Sequence, residues 1–217
     1  MFENKETERV EKLLSFALSS GASRSASLPA ERLKVENHLS ELCRTPQCPN
    51  YAKSMSCPPH VAGPDNMRKL LARCRHAVVI RLEVDTASLT GDDKTVVFRL
   101  LHEVVAGVEA EARRLGFQLA RGYAGGSCKQ IFCSAQHTCR VVEEKKPCRH
   151  PDQARPSMSG FGINVGELMK SCGWSSRIYT GTEADGPMSW LAGLILLGSS
   201  GNSLSASLPP RSVTADS

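Results

Sequence analysis

The chain reads as α/β or α+β: a small mixed sheet of four to five strands, packed helices, and two cysteine-rich loops whose chemistry points to metal binding. Three observations predict this. Segments of helical and strand periodicity alternate along the chain. Two stretches, 43–64 and 124–156, interrupt that periodicity with proline, glycine and cysteine. Seven of the nine cysteines fall inside those two stretches.

The elements follow in order. Residues 6–19 place Val10, Leu13, Leu14 and Ala17 on one helical face, with Gly21 just past the end. A short extended piece over 23–29 precedes a second short helix at 34–42, which leads into Cys43. Five prolines make 43–64 mostly loop. Asp65 is positioned to N-cap a helix running through Arg73. Residues 76–84 (HAVVIRLEV) read as a buried strand. The spacing of Val97, Leu101, Val104, Val108, Ala112 and Leu115 predicts a helix over 94–115, closed by Gly116. Residues 117–123 alternate as a strand, and a long cysteine loop covers 124–156. A helix at 164–172 and strands near 175–180 and 191–198 complete a single domain, 1–198. The tail 199–217 has seven serines and little to bury, so disorder is expected there.

Composition narrows the class. Hydrophobic residues at 41% and charged residues at 23% are ordinary for a globular chain. The longest apolar run, Leu191 to Leu197, is strand-sized, far short of the roughly 20 residues that span a bilayer. The charged N-terminus lacks the apolar core of a secretory signal, so a cytoplasmic protein is expected. Nine cysteines in that compartment point away from disulfides, as does the odd number.

Charge gathers where the cysteines gather. Segment 43–60 carries Arg44 and Lys53 and no acid. Segment 121–156 carries seven basic residues against Glu143, Glu144 and Asp152. The two segments together hold +6 of a chain total of +5, leaving −1 for the remainder. Such a surround stabilises an anionic thiolate-ligated centre. A nucleic-acid patch fits less well, because the segments have few stacking aromatics and no nucleic-acid motif.

The candidate metal ligands are Cys43, Cys48 and Cys57 in the first segment and Cys128, Cys133, Cys139 and Cys148 in the second. Cys74 and Cys172 fall in or beside helices with apolar neighbours and read as structural thiols. Prolines after Cys48 and Cys57 stiffen the loops, as in ferredoxin-type segments. Gly125 and Gly126 are candidate cofactor-binding residues, whose N–H groups would donate to cluster sulfurs. Intervening gaps of four and eight, then four, five and eight, include no C-x-x-C pair. That spacing disfavours zinc ribbons, thioredoxin-type motifs and the common ferredoxin run, and favours iron–sulfur over zinc. His60, His137 and His150 lie in the same loops and read as solvated histidines, since seven cysteines already suffice. His38, His76 and His102 read as ordinary helix or strand residues.

With those residues in view, the chain resembles the uncharacterised bacterial and archaeal proteins labelled predicted metal-binding protein. The resemblance runs through SSGASRSASLPAERL, CRTPQCPNYAKSMSCPPH, GGSCKQIFCSAQHTCRVVEEKKPCRHPDQARPSMSGFGINV, and the closing CGW and GLILL, over about residues 12–198. It implies that the same seven cysteines are metal-ligand candidates. Family members usually carry Tyr-Gly where this chain has Tyr51-Ala52, and Ser-Met-Glu where it has Ser157-Met158-Ser159. The second departure leaves no carboxylate role to carry onto position 159. The resemblance supplies no reaction.

No P-loop is present, and GFGINVG at 160–166 has the wrong glycine spacing for a dinucleotide fingerprint. Arg149, Arg155 and Ser157 read first as residues that fix the loop after Cys148 and second as an anion site. The expected function is an iron–sulfur protein in electron transfer or redox sensing, with one or two [4Fe–4S] clusters and a redox protein partner. A structural zinc module and an iron–sulfur enzyme with an open iron stand as alternatives, and a thiol-based enzyme or metal carrier stands behind them. Spacing leaves open whether the two cysteine segments share one site or form two.

Overall fold

The computed structural model describes residues 2–177, 188–198 and 211–214. In chain order the elements are α1 (Phe2–Ser19), β1 (Arg24–Pro29), α2 (Asn37–Glu41), α3 (Gly63–Leu71), β2 (His76–Asp85), α4 (Thr86–Thr90) and α5 (Lys94–Arg114). Then come β3 (Leu119–Ala124), α6 (Cys128–Phe132), α7 (Arg140–Glu143), α8 (Val165–Ser171), β4 (Met188–Gly198) and β5 (Arg211–Thr214).

The five strands form one open sheet in the order β3-β4-β2-β1-β5, antiparallel at every pairing. Antiparallel pairing resolves the choice between α/β and α+β in favour of α+β. The longest ladder joins β2 to β4, from His76 opposite Leu197 to Asp85 opposite Met188. Strand periodicity sends alternate side chains into two cores. Val78, Ile80, Leu82, Leu191, Ile195 and Leu197 face one; Ala77, Val79, Ala192, Leu194 and Leu196 face the other. Because both faces of β2 and β4 are covered, these strands read as continuous apolar runs.

The first core is closed by α1 and α5. Leu13, Leu14 and Ala17 enter it from α1, and Leu101, Val105 and Val108 from α5. The second is closed by Met67 of α3, Leu168 and Met169 of α8, and Trp174 and Trp190. Two glycines on neighbouring strands bring α5 close to the sheet. A Cβ at Gly193 would collide with Val105, and one at Gly122 would stand 2.6 Å from Glu109 Oε2 and 2.8 Å from Val105 Cγ1.

Several details differ from the sequence expectation. Helix α3 starts at Gly63 with Pro64 in its first turn, where proline has no N–H to waste. Asp65 therefore sits inside the helix and pairs with Arg68 at 2.8 Å instead of capping it. At α8 the cap is Asn164, whose side chain accepts the Glu167 N–H at 3.0 Å. The cysteine loop 124–156 contains α6 and α7, each too short to leave a periodic signal. Residues 175–177 are not a strand, and 178–187 lie outside the described residues, so the strand expected near 175–180 is largely untested. Within the expected tail, Arg211–Thr214 pair with β1, and 199–210 and 215–217 lie outside the described residues. No helix among the described residues is long and apolar enough to cross a membrane.

Candidate metal centre

The second cysteine segment is a closed excursion from the sheet. The chain leaves β3 at Ala124 and returns beside it, with the Ala124 N–H donating to the Pro156 carbonyl at 3.0 Å and a parallel bridge to Ser157. The first cysteine segment, between α2 and α3, meets the excursion there. The Ser157 N–H donates to the Ser56 carbonyl at 3.1 Å. Cys128 Sγ donates to Ser56 Oγ at 3.1 Å, and Cys57 Sγ to Ser127 Oγ at 3.6 Å. Asn50 reaches Gln130 at 3.3 Å. The two segments thus form one body of chain.

Within it, Cys128, Cys133, Cys139 and Cys148 line a single cleft, together with Ser54, Arg140, Arg149 and His150. Cys128 opens α6 and Cys133 follows it. Cys139 is the N-cap of α7, its carbonyl accepting the Val142 and Glu143 N–H groups at 3.0 Å. The Cys148 sulfur accepts the His150 N–H at 3.4 Å. Cys43, Cys48 and Cys57 do not line this cleft. They form a neighbouring group, tied by the Cys48 N–H donating to the Cys43 carbonyl at 3.0 Å. Among the described residues, no three His, Cys, Asp or Glu side chains converge closely enough to hold an ion as they stand.

The electrostatics separate the thiols. Burial pushes Cys128 up to about 11, against the pull of the Ser56 hydroxyl. Burial, then the Cys148 sulfur, raise Cys133, while Arg149 and Lys129 oppose them. Burial, then the Cys48 and Cys57 sulfurs, raise Cys43. Cys139 goes the other way. Burial raises it, but the backbone N–H groups of Met55, Val142 and Val141, with Arg149, outweigh burial and leave the thiol below its ordinary value. Two cations expected from sequence thus do face the sulfurs.

The cleft suits a sulfur-rich anionic group. Ser54 is 1% exposed and leans toward Cys128, yet its hydroxyl closes no hydrogen bond. The buried Nε of Arg140 also has no partner. Two unpaired donors beside four soft thiol donors match what a thiolate-ligated centre requires.

Other expected site residues fall elsewhere. Gly125 donates its N–H to the Ala192 carbonyl at 3.2 Å, extending the β3–β4 pairing, so that group is not free for a cofactor. Gly126 has φ +86°, and a Cβ there would stand 2.5 Å from Phe98; its glycine is explained by backbone and packing. Cys172 is buried in the second core, where burial pushes it up to about 12, and Cys74 packs at the edge of the same core. His60 Nε2 sits 3.2 Å from the Ala52 carbonyl, and His137 is exposed. His150 lines the cleft and stacks on Phe132 at 5.3 Å. Arg155 fixes the loop: it is buried, pairs with Glu109 at 2.5 Å, and donates to the Pro151 and Ala154 carbonyls at 3.2 and 2.9 Å. Arg149 pairs with Glu144 at 3.6 Å.

Sequence reasoning passed over His102 and Glu109, which stand behind the cleft on α5. His102 is fully buried, with Nε2 3.1 Å from the Gly125 carbonyl and Nδ1 accepting the Arg155 N–H at 3.1 Å. Glu109 also accepts the Gly122 N–H at 2.8 Å. The available signal was a histidine and a carboxylate seven residues apart inside an otherwise apolar stripe.

Fold and site together define a cysteine-rich α+β protein with a thiol-lined cleft beside an antiparallel sheet. The chain belongs to the family described as Predicted metal-binding protein (DUF2284), whose profile matches residues 26–197. That span includes all nine cysteines. Neither the curated proteins nor the solved structures provide a match.

Proposed function

We propose that the protein holds an iron–sulfur cluster through Cys128, Cys133, Cys139 and Cys148, and serves in electron transfer or redox sensing. The observation that carries this reading is the gathering of four thiols from one excursion into one cleft, backed by two unpaired buried donors. A [4Fe–4S] cluster takes four thiolates and, when bound, supplies a one-electron carrier. Ser54 and Arg140 would donate to its sulfurs and so tune its potential. Arg149 and Lys129 would offset the charge of the ligated thiolates.

Cys43, Cys48 and Cys57 supply three further thiolates, a set suited to a second cluster with one open iron. A cytoplasmic setting, where thiols stay reduced, and a redox protein as partner fit the same reading. A closed zinc site would use the same four cysteines of the cleft. Anaerobic purification of the full chain, followed by iron, zinc and acid-labile sulfide analysis with a visible spectrum, tests the proposal. A brown protein with iron and sulfide in equal amounts supports it. A colourless protein with stoichiometric zinc and no sulfide overturns it.

A further inference from the structure

We infer that His102 is a positioning residue for this site: from α5 it holds both ends of the second cysteine segment and so sets where its sulfurs stand. The inference rests on the proposed four-cysteine site. Its basis is three contacts of one buried ring. The first joins Nε2 to the Gly125 carbonyl at 3.1 Å, three residues before Cys128. The second joins Nδ1 to the Arg155 N–H at 3.1 Å, seven residues after Cys148. The third sets the ring edge-on to Phe132 at 5.6 Å, immediately before Cys133. Phe132 in turn stacks on His150, two residues past Cys148.

The hydrogen bonds fix the ring. Nδ1 accepts the Arg155 N–H and so is the unprotonated nitrogen, which leaves the proton on Nε2, facing the Gly125 carbonyl. With both nitrogens engaged, the ring has no lone pair left for a metal. Its action is therefore through the backbone at Gly125 and Arg155. Glu109, seven residues further along the same helix, holds the Arg155 guanidinium at 2.5 Å. That guanidinium donates to the carbonyls just past Cys148. Helix α5 is itself wedged against β3 and β4 at Gly122 and Gly193. Rigidity of the core thus reaches the sulfur positions through two buried polar side chains.

Preorganised ligands bind metal more tightly than mobile ones, and outer-shell partners are commonly worth 10–100-fold in affinity. The test uses the full chain as His102→Leu and His102→Gln. Leu fills the volume and removes both hydrogen bonds; the Gln amide can donate to one partner and accept from the other. With folding checked by circular dichroism, His102→Leu is expected to lose about 10–100-fold in metal affinity by chelator competition. His102→Gln is expected to regain most of it. In metal-free protein, alkylation of Cys128 and Cys148 should quicken in the Leu variant and return toward wild type in the Gln variant. Should the Leu variant fail to fold, His102→Asn, too short to span both partners, replaces it.

Wild-type affinity and alkylation rates in a folded Leu or Asn variant would overturn the inference, as would a Gln variant no better than Leu. If wild-type protein binds no metal, the four-cysteine reading falls, and the alkylation rates alone decide the role of His102.

Discussion

The sulfur of Cys128 lies 3.1 Å from the hydroxyl of Ser56, joining two cysteine segments that are far apart in the sequence. The reciprocal contact of Cys57 with Ser127, the Ser157–Ser56 backbone bond and the Asn50–Gln130 bond reinforce the junction. Ser56→Ala removes one of these bonds while the backbone bond survives. We expect a loss of about 1 kcal/mol in stability, the usual net worth of one buried hydrogen bond. Urea denaturation checks this, and no change would mean that the serine pairs do not join the segments energetically.

Cys139 should be the first cleft thiol to react. The residue is partly exposed, and backbone N–H groups with Arg149 bring its thiol below the ordinary value despite burial. Burial pushes Cys128 up to about 11 and Cys172 up to about 12. Only the thiolate attacks an alkylating agent. Mass spectrometry of metal-free protein after brief iodoacetamide treatment near pH 8 should find Cys139 labelled well ahead of Cys128 and Cys172. Earlier labelling of either buried thiol would contradict this ordering.

Ala52, a residue with a Cβ, occupies the left-handed region at φ +61°. A non-glycine residue there costs roughly 1–2 kcal/mol, and glycine returns about 0.5–1 of that through unfolded-state entropy. Ala52→Gly is therefore expected to stabilise the chain by about 0.5–1 kcal/mol. A denaturant midpoint that fails to rise would sink the prediction.

His102 gives the protein an acid sensitivity. Burial, opposed by hydrogen bonding to the Gly125 and Gln153 backbone and aided by the Arg155 charge, lowers its pKa to about 4 from 6.5. In the unfolded chain the ring takes its proton first. Between those values the unfolded state binds a proton that the folded state does not, so stability falls as pH drops through that window. The contribution at stake is about 3 kcal/mol, complete above pH 6.5 and lost by about pH 4. His102→Gln should flatten this part of the stability profile; an unchanged slope in denaturation at pH 7, 6, 5 and 4 would refute it.

Much of this architecture is legible in the sequence, for identifiable reasons. The apolar runs at 76–84 and 191–198 and the long stripe of 94–115 are dictated by burial, and they emerge as β2, β4 and α5. Short pieces carry no such signal: α6 and α7 are single turns fixed by where the chain re-crosses itself at Ala124 and Ser157. β5 is a strand of four residues held by pairing with β1. The seven cysteines stood out by type and spacing, but their division between a cleft of four and a neighbouring three comes from tertiary return alone. Gly125 looked like a cofactor contact because glycine is permissive; its N–H instead continues a ladder. His102 and Glu109 looked ordinary because one residue type in a stripe says little until its partners are placed.

The central claim is the location of the metal: a centre held by Cys128, Cys133, Cys139 and Cys148. Crystals of anaerobically purified protein, measured on both sides of the iron and zinc absorption edges, test it most directly. The account predicts an iron anomalous peak in the cleft bonded to those four sulfurs. A peak at other residues, or one present only at the zinc edge, would contradict it.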